Sequence, residues 1–178
     1  MFGRGITKNL LECYRFIFEN FEANDKIYLF GFSRGAATVR SLSGFIHLFG
    51  ILPKSRPDLI EEAFYIYKKK DKVKRAKEFI NKHHTMWSNV EFIGVWDTVA
   101  ALGLPSGFLN MILDPFIPTQ FHDFGLSPSV KYARQALSID ERRKIFSPII
   151  WDIPEEPLLN AKEKIIQMWF CGVHTDVG

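Results

Sequence analysis

Short apolar runs alternate along the chain with longer stretches of helical periodicity. Three runs, at residues 27–30, 90–96 and 165–170, are nearly free of charge and rich in β-branched and aromatic residues. Such runs are typical of strands that are buried on both faces, as in a parallel sheet. The segments between them carry apolar residues at intervals of three and four, which favours helices. The pattern therefore predicts an α/β fold, with a mostly parallel sheet flanked by helices.

The helical segments differ in length and charge. Residues 6–21 carry one apolar stripe and predict a helix that leads into the first strand. A second helix starts near Ala36 and is predicted to end at Gly50, with Pro53 as a breaker. Residues 59–80 predict one or two charged helices, which we interpret as part of a helical insertion over residues 54–86. Residues 130–137 predict a further short helix.

Residues 101–129 combine dense glycine and proline with large apolar side chains. A long apolar loop inside a compact domain is typical of a lid or a binding wall. Irregular structure packed into the core is the alternative. Because 178 residues suit one domain, we expect residues 1–178 to form a single domain that contains the insertion and this loop.

The first strand leads into Gly31-Phe-Ser-Arg-Gly35, a G-x-S-x-G sequence with a predicted strand before it and a helix after it. In this turn the serine adopts a strained backbone conformation that holds its hydroxyl clear of both elements. We expect Gly31 and Gly35 to keep Cβ atoms out of the crowded turn, and the amide of Arg34 to point where an oxyanion would form. Ser33 is therefore the candidate nucleophile.

The other two apolar runs also end in polar residues, since Asp97 follows the second run and His174 follows the third. Because ligand and catalytic groups gather beyond the carboxyl ends of parallel strands, Ser33, Asp97 and His174 are placed to meet. Their order along the chain is that of the α/β-hydrolase triad. In such a triad the histidine accepts the serine proton, and the acid orients the imidazole and stabilises its cation.

Each of these assignments has an alternative. A strand-end aspartate such as Asp97 is also common as a helix N-cap or turn residue. Asp176 is the alternative acid, although a loop-ordering role suits it better. The other histidines do not follow a predicted strand and are expected to be structural or solvated: His47, His83, His84 and His122.

The composition argues against several other classes of protein. A net charge of +3 with scattered basic residues does not suit nucleic-acid binding. The basic run at residues 68–77 predicts a solvated helix face, with a peripheral contact to anionic membrane headgroups as the alternative. Cys13 and Cys171 lack ligand or redox spacing and are expected to be free buried thiols in a reducing compartment. With no metal-ligand spacing and no glycine-rich phosphate loop, the sequence predicts neither metal nor cofactor.

Four sequence blocks together resemble a known family. They are Gly31-Phe-Ser-Arg-Gly-Ala36 with Arg40, Phe92-Ile-Gly-Val-Trp-Asp-Thr-Val99, Ala136-Leu-Ser-Ile-Asp-Glu-Arg-Arg143 and Gln167-Met-Trp-Phe-Cys-Gly-Val-His-Thr-Asp-Val-Gly178. In this order they resemble the bacterial and fungal α/β-hydrolase domains that are related to type VI secretion phospholipase effectors. The resemblance implies a serine hydrolase with its triad on Ser33, Asp97 and His174, and hydrolysis of phospholipid acyl esters in the secreted members.

The resemblance has further implications. It marks residues 140–143 as a family signature, for which the residues themselves indicate only a structural salt bridge. Family members begin with a strand whose loop supplies a second oxyanion donor, and they continue past the histidine block. We therefore expect a domain that is truncated at both ends. No leader and no apolar stretch of membrane-spanning length is found, so we expect a soluble protein, either cytoplasmic or delivered by a secretion apparatus.

These observations support one leading hypothesis. The chain is predicted to hydrolyse carboxylic esters, of phospholipids or other lipids, through a Ser33 acyl-enzyme. Short esters, acylated sugars and peptides are other possible substrates. The alternative from a different class is a non-catalytic fragment, or a binding or scaffold module that retains the hydrolase blocks.

Overall fold

The computed structural model describes residues 3–99, 125–152 and 164–178. This part of the chain contains a four-stranded sheet in the order β1-β2-β3-β4, and each neighbouring pair of strands is parallel. The predicted α/β class, with a parallel sheet flanked by helices, is confirmed. In chain order the elements are α1 (Gly3–Asn20), β1 (Ile27–Phe32), α2 (Arg34–Phe49), α3 (Leu59–Tyr67), α4 (Lys72–His83), β2 (Val90–Trp96), β3 (Val130–Ser138), a 3-10 helix (Lys144–Phe146), β4 (Ile165–Phe170) and α5 (His174–Val177).

The predicted helix over residues 130–137 is wrong, because these residues form strand β3. Val130, Ala133 and Leu137 have helical spacing in the sequence, and the segment is rich in helix formers. The strand periodicity is hidden because Gln135, a polar residue, is buried between Ala133 and Leu137 on the same face. β3 pairs with β2 on one side and with β4 on the other, so it is an inner strand of the sheet.

One face of the sheet, here called the helix face, lies against the helices. Leu29, Ile93, Ala133 and Ile165 occupy one row across the four strands in register, and all four side chains are buried. Helix α2 packs against β1 and β2, and α1 packs against α2. The main hydrophobic core therefore lies between the helix face and these helices.

The opposite face, here called the open face, carries large apolar side chains that are exposed. Tyr28 and Phe30 of β1 are 53% and 58% exposed, and Tyr132 and Met168 are 48% and 55% exposed. The expectation that the first strand is buried on both faces therefore fails for β1, whose alternate side chains face solvent.

Helix α2 crosses the helix face and ends at the predicted residue. Gly50 has a φ of 64°, and its N–H donates to the Ile46 carbonyl at 2.7 Å, a helix end that favours glycine. The Tyr14 hydroxyl of α1 donates to the Gly50 carbonyl at 2.8 Å and accepts from the Leu52 N–H at 3.2 Å. Burial raises the pKa of Tyr14, so the hydroxyl stays protonated and holds this turn.

Residues 148–152, here called the strap, connect α2 with β4 and with the end of β2. The Ile149 N–H donates to the Thr98 carbonyl at 2.8 Å, and its carbonyl accepts from Arg40 Nη1 at 2.6 Å. The guanidinium of Arg40 also lies 4.7 Å from the ring centroid of Trp151. Gln167 of β4 forms two hydrogen bonds with the backbone of Trp151, at 2.7 and 2.9 Å.

Other sequence predictions have mixed outcomes. The charged segment forms two helices, α3 and α4.

Most of the predicted apolar loop over residues 101–129 lies outside the described residues. Cys13 and Cys171 are free thiols, but Cys171 is exposed and Cys13 is only half-buried, so the prediction of two buried thiols is wrong. Within the described ranges, no helix has the length and apolar character needed to cross a membrane.

Candidate active site

Ser33 occupies the sharp turn between β1 and α2. Its backbone has φ 56° and ψ −120°, a left-handed conformation that a residue with a Cβ adopts only under strain. The Ser33 N–H donates to the carbonyl of Trp96 in β2 at 2.9 Å, which fixes the turn to the neighbouring strand. The strained backbone thus presents a half-buried serine at the carboxyl edge of the sheet.

The two glycines of the turn differ in their surroundings. A Cβ at Gly31 would lie 2.5 Å from the Gly35 carbonyl oxygen and 2.7 Å from the amide nitrogen of Ala36. A Cβ at Gly35 would meet no described atom within 4 Å. Of these two glycines, only Gly31 therefore occupies a position too crowded for a Cβ.

Asp97 directly follows β2 and is completely buried. Its backbone also lies in the left-handed region, with φ 43°, and its N–H donates to the Ala136 carbonyl at 2.8 Å. The carboxylate accepts two hydrogen bonds from Ser138, one from the backbone N–H at 3.0 Å and one from the hydroxyl at 2.8 Å. These donors hold the carboxylate in a fixed orientation and offset the cost of burying it.

His174 is the first residue of α5, just beyond β4, and it is buried. Its Nδ1 lies 2.5 Å from Asp97 Oδ2, and its Nε2 lies 2.8 Å from Ser33 Oγ. The carboxyl ends of β1, β2 and β4 thus bring the three predicted residues into one hydrogen-bonded chain. If Nδ1 carries the proton toward Asp97, then Nε2 is left to accept the proton of the Ser33 hydroxyl.

Asp176, the alternative acid, lies in a different arrangement. Its Oδ2 accepts the backbone N–H of Val173 at 2.8 Å and its N–H donates to the Val173 carbonyl at 2.9 Å. This reciprocal pair orders the turn that carries His174. Asp97, and not Asp176, is the carboxylate that contacts the imidazole.

Arg34, whose amide is the predicted oxyanion donor, is the first residue of α2. A first-turn N–H has no acceptor within its own helix. The amide that follows Ser33 is therefore available to a ligand, at the positive end of the helix dipole.

The segment after β3 supplies contacts that the sequence analysis missed. Asp140 accepts the Gly172 N–H at 2.7 Å, and its own N–H donates to the Gly172 carbonyl at 3.1 Å. Glu141 accepts the backbone N–H of His174 at 3.3 Å and pairs with Arg143 at 2.6 Å, which is the predicted type of salt bridge. Residues 140–143 therefore anchor the histidine turn. The sequence analysis marked these residues but did not predict their contacts with the histidine turn. Because it predicted a helix over β3, it did not show that they follow a strand.

The hydrogen bond from Arg143 is the main reason that the pKa of Glu141 falls to about 2. Glu141 therefore stays ionised at neutral pH and can hold its N–H donors.

The other four histidines, which were expected to be structural or solvated, lie away from this edge or outside the described residues. His47 lies on α2 near its C-terminus, His83 ends α4 and His84 caps it with a φ of 52°. His122 falls in the part of the chain that is not described. Among residues 3–99, 125–152 and 164–178, no group of three or more metal-ligating side chains of His, Cys, Asp or Glu is found.

Comparisons with known proteins place the chain in a family. The family model described as T6SS, Phospholipase effector Tle1-like, catalytic domain matches residues 1–178. An uncharacterised protein of Saccharomyces cerevisiae is 28% identical over 188 residues, which cover 99% of this chain and 25% of the yeast protein. The solved structure of the Tle1 effector bound to the VgrG spike from the type 6 secretion system has a TM-score of 0.55 and 24% identity, over 98% of this chain and 30% of that chain.

The chain thus spans less than a third of the length of these relatives. The likeness to the solved effector supports the α/β fold, and the family match covers every residue of the chain. On that match, this protein belongs to the family of Tle1-like catalytic domains of type VI secretion phospholipase effectors.

Proposed function

We propose that this chain is a serine hydrolase that cleaves carboxylic esters through an acyl-enzyme on Ser33. The observation that carries the proposal is the chain of contacts from Ser33 Oγ to His174 Nε2 at 2.8 Å and from His174 Nδ1 to Asp97 at 2.5 Å. Each distance lies within hydrogen-bond reach, as proton transfer between neighbouring groups requires. We propose residues 1–178 as one catalytic domain.

In the acylation step, Ser33 Oγ attacks the carbonyl carbon of the ester while His174 Nε2 accepts the hydroxyl proton. Asp97 stabilises the imidazolium that forms. The Arg34 N–H donates to the oxyanion of the tetrahedral intermediate. When the intermediate collapses, the imidazolium gives its proton to the departing alcohol, and the acyl group stays on Ser33.

In the deacylation step, His174 removes a proton from a water molecule, which attacks the acyl carbon. A second tetrahedral intermediate then releases the carboxylic acid, and the proton returns to Ser33. The groups described above supply each proton acceptor and donor that these two steps require.

The family supports phospholipids or other lipids as the source of the ester. The basic run at residues 68–77 has no role in this reaction. Lys72 and Val73 line a cavity of about 270 Å³ together with Ser127 and Pro128, which precede β3 at the amino edge of the sheet. A membrane contact through that run would therefore leave Ser33, at the carboxyl edge, facing away from the lipid.

The test is labelling of the purified chain by a fluorophosphonate probe, with Ser33→Ala beside it. In the reaction Ser33 Oγ forms a bond to phosphorus, fluoride leaves, and His174 takes the proton. We expect labelling that is abolished by Ser33→Ala, together with release of fatty acid from phosphatidylcholine vesicles. A folded chain that neither labels nor releases fatty acid would contradict the proposal and favour a non-catalytic binding module.

A further inference from the structure

The imidazole of His174 packs against two aromatic rings besides its two hydrogen-bond partners. The ring centroid of Phe32 lies 4.7 Å from that of the imidazole, with 32° between the planes. The ring of Phe146 lies 4.6 Å away with 29° between the planes, which is a stacked arrangement. Phe32 belongs to the turn that carries Ser33, whereas Phe146 comes from the segment after β3. The contact with Phe146 is therefore independent of the turn that carries Ser33.

Arg143 holds Phe146 in place through two contacts. It is the last residue of the 3-10 helix, and its N–H donates to the Arg143 carbonyl at 2.9 Å. The guanidinium carbon of Arg143 lies 4.3 Å from the Phe146 ring centroid, a cation–π contact. Arg143 thus fixes both the backbone and the ring of Phe146.

Glu141 links this stack to the backbone of His174. Its side chain is only 2% exposed, and its two oxygens accept hydrogen bonds from four N–H groups. Three come from Arg143, namely the backbone N–H at 2.7 Å, Nε at 2.9 Å and Nη2 at 2.6 Å. The fourth is the backbone N–H of His174 at 3.3 Å. The Glu141 carboxylate therefore fixes Arg143, and with it Phe146, relative to the backbone of His174.

We propose that Phe146 is a positioning residue for the general base His174, held in place by Arg143 and Glu141; this inference rests on the proposed function. The imidazole must hold Asp97 and Ser33 at the same time, and rotation about its ring torsion would lose both contacts. A stacked ring restricts that rotation and excludes water from the imidazole. The ring face also attracts the imidazolium that forms when Ser33 attacks.

An aliphatic side chain of similar volume would fill the same space without offering a flat π face. A comparison of aliphatic and aromatic variants therefore shows whether Phe146 positions His174 by stacking or only fills space. Phe146→Leu removes the aromatic face, and Phe146→Tyr keeps it, with the hydroxyl free to reach water because Phe146 is only half-buried. Phe16→Leu is the matched control, since Phe16 lies on α1 and is 68% exposed.

The first readout is the rate of Ser33 labelling by a fluorophosphonate probe. We expect Phe146→Leu to slow labelling about tenfold, with Phe146→Tyr within about twofold of wild type, because aromatic stacking adds to the gain from burial alone. Phe16→Leu should label at the wild-type rate. Wild-type rates in Phe146→Leu, or equal losses in the Leu and Tyr variants, would overturn the proposal.

The second readout does not depend on turnover. Ring currents shift protons above an aromatic face upfield, so the carbon-bound ring protons of His174 should move downfield in Phe146→Leu and not in Phe146→Tyr. The peaks are assigned with His174→Gln in two-dimensional NMR spectra of the chain. If wild type failed to label, the proposed function would fail, whereas this shift would still test the stack. Unchanged His174 signals in Phe146→Leu would overturn the positioning role.

Discussion

At the scale of single residues, one side-chain hydroxyl helps to orient Asp97. Ser138 Oγ donates to Asp97 Oδ2, the same oxygen that contacts His174. A hydrogen bond to a charged group contributes about 1.5–3 kcal/mol, so we expect Ser138→Ala to slow fluorophosphonate labelling about tenfold or more. Ser127→Ala is the control, because Ser127 is also buried but lies before β3, at the other end of the strand. Equal rates in the two variants would show that Asp97 does not need the hydroxyl.

The two turn glycines allow a second test at this scale. Gly31→Ala places a Cβ 2.5 Å from the Gly35 carbonyl oxygen, and backbone atoms have no rotamer with which to escape. We expect the free energy of unfolding to fall by at least about 2 kcal/mol, as for other overpacked sites. Gly35→Ala meets open space and adds a helix former to α2, so its stability should lie within about 1 kcal/mol of wild type. Urea denaturation of both variants gives the comparison, and similar losses would contradict the crowding argument.

Glu141 makes the stability of the fold depend on pH, and the direction of this dependence follows from its pKa. Hydrogen bonding from Arg143 lowers the pKa of Glu141 from 4.5 to about 2. A carboxyl whose pKa is lower in the folded state stabilises the fold fully above its unfolded pKa, and this stabilisation is lost as the pH falls through the folded pKa. The difference in urea midpoint between wild type and Glu141→Gln should therefore be constant above about pH 5 and shrink between about pH 4.5 and 2.

Glu61→Gln serves as the control for that titration. Glu61 pairs with Arg15 on the surface, and exposed pairs contribute little to stability. The urea midpoint of Glu61→Gln should stay close to that of wild type at every pH. A Glu141→Gln difference that persists unchanged to pH 2 would show that the loss comes from packing and not from the charge.

At the scale of elements, the strands that the sequence could predict were those that are mostly apolar, with at most one polar residue each. β1, β2 and β4 read as apolar runs, and their polar end residues led to Ser33, Asp97 and His174. β3 could not be predicted, because Gln135 occupies a buried position that a strand pattern reserves for an apolar residue. Gln135 lies there because its amide donates to the strap carbonyl of Ile149 at 2.9 Å, a contact that only the folded chain reveals. With β3 hidden, Ser138 was missed as well, and residues 140–143 were predicted to form a salt bridge but not to contact the backbone of His174.

The attachment of the strap to α2 can be measured as an interaction energy. The Arg40 guanidinium and the Trp151 ring are both buried, at 1% and 3% exposure, and lie 4.7 Å apart. Desolvated cation–π pairs contribute about 2 kcal/mol, against about 0.5–1 kcal/mol at exposed sites. A double-mutant cycle of Arg40→Met and Trp151→Leu, followed by urea denaturation, should therefore give a coupling energy of about 1–2 kcal/mol.

Lys69 and Tyr65 form the matched pair for this cycle. Their contact is shorter, at 4.0 Å, but Tyr65 is 56% exposed. If burial decides the strength, this pair should couple by less than about 1 kcal/mol despite its shorter distance. A stronger coupling on the surface than in the strap would contradict the expected attachment of α2 to the strap.

At the scale of the whole molecule, the main unpredicted feature is the difference between the two faces of the sheet. The residues of β1 are apolar on both faces, so periodicity could not tell which face the helices cover. The row of Leu29, Ile93, Ala133 and Ile165 is buried on the helix face, whereas Phe30 and Met168 on the open face are more than half exposed. Exposed apolar patches of this kind bind partners, lipids or apolar dyes.

The open face therefore leads to a prediction about the chain as a whole. We expect the hydrophobic dye anilinonaphthalene sulfonate to bind the native chain, and the double variant Phe30→Thr with Met168→Thr to reduce dye fluorescence severalfold. Threonine suits strands, so the urea midpoint should change little. The control replaces Tyr65 and Val73, which are exposed on or near α3 and α4, with glutamine and should leave the fluorescence unchanged. The four strands in register present the open face as one continuous apolar patch, and the double variant interrupts that patch. Equal dye binding by this variant and wild type would therefore show that the dye binds elsewhere.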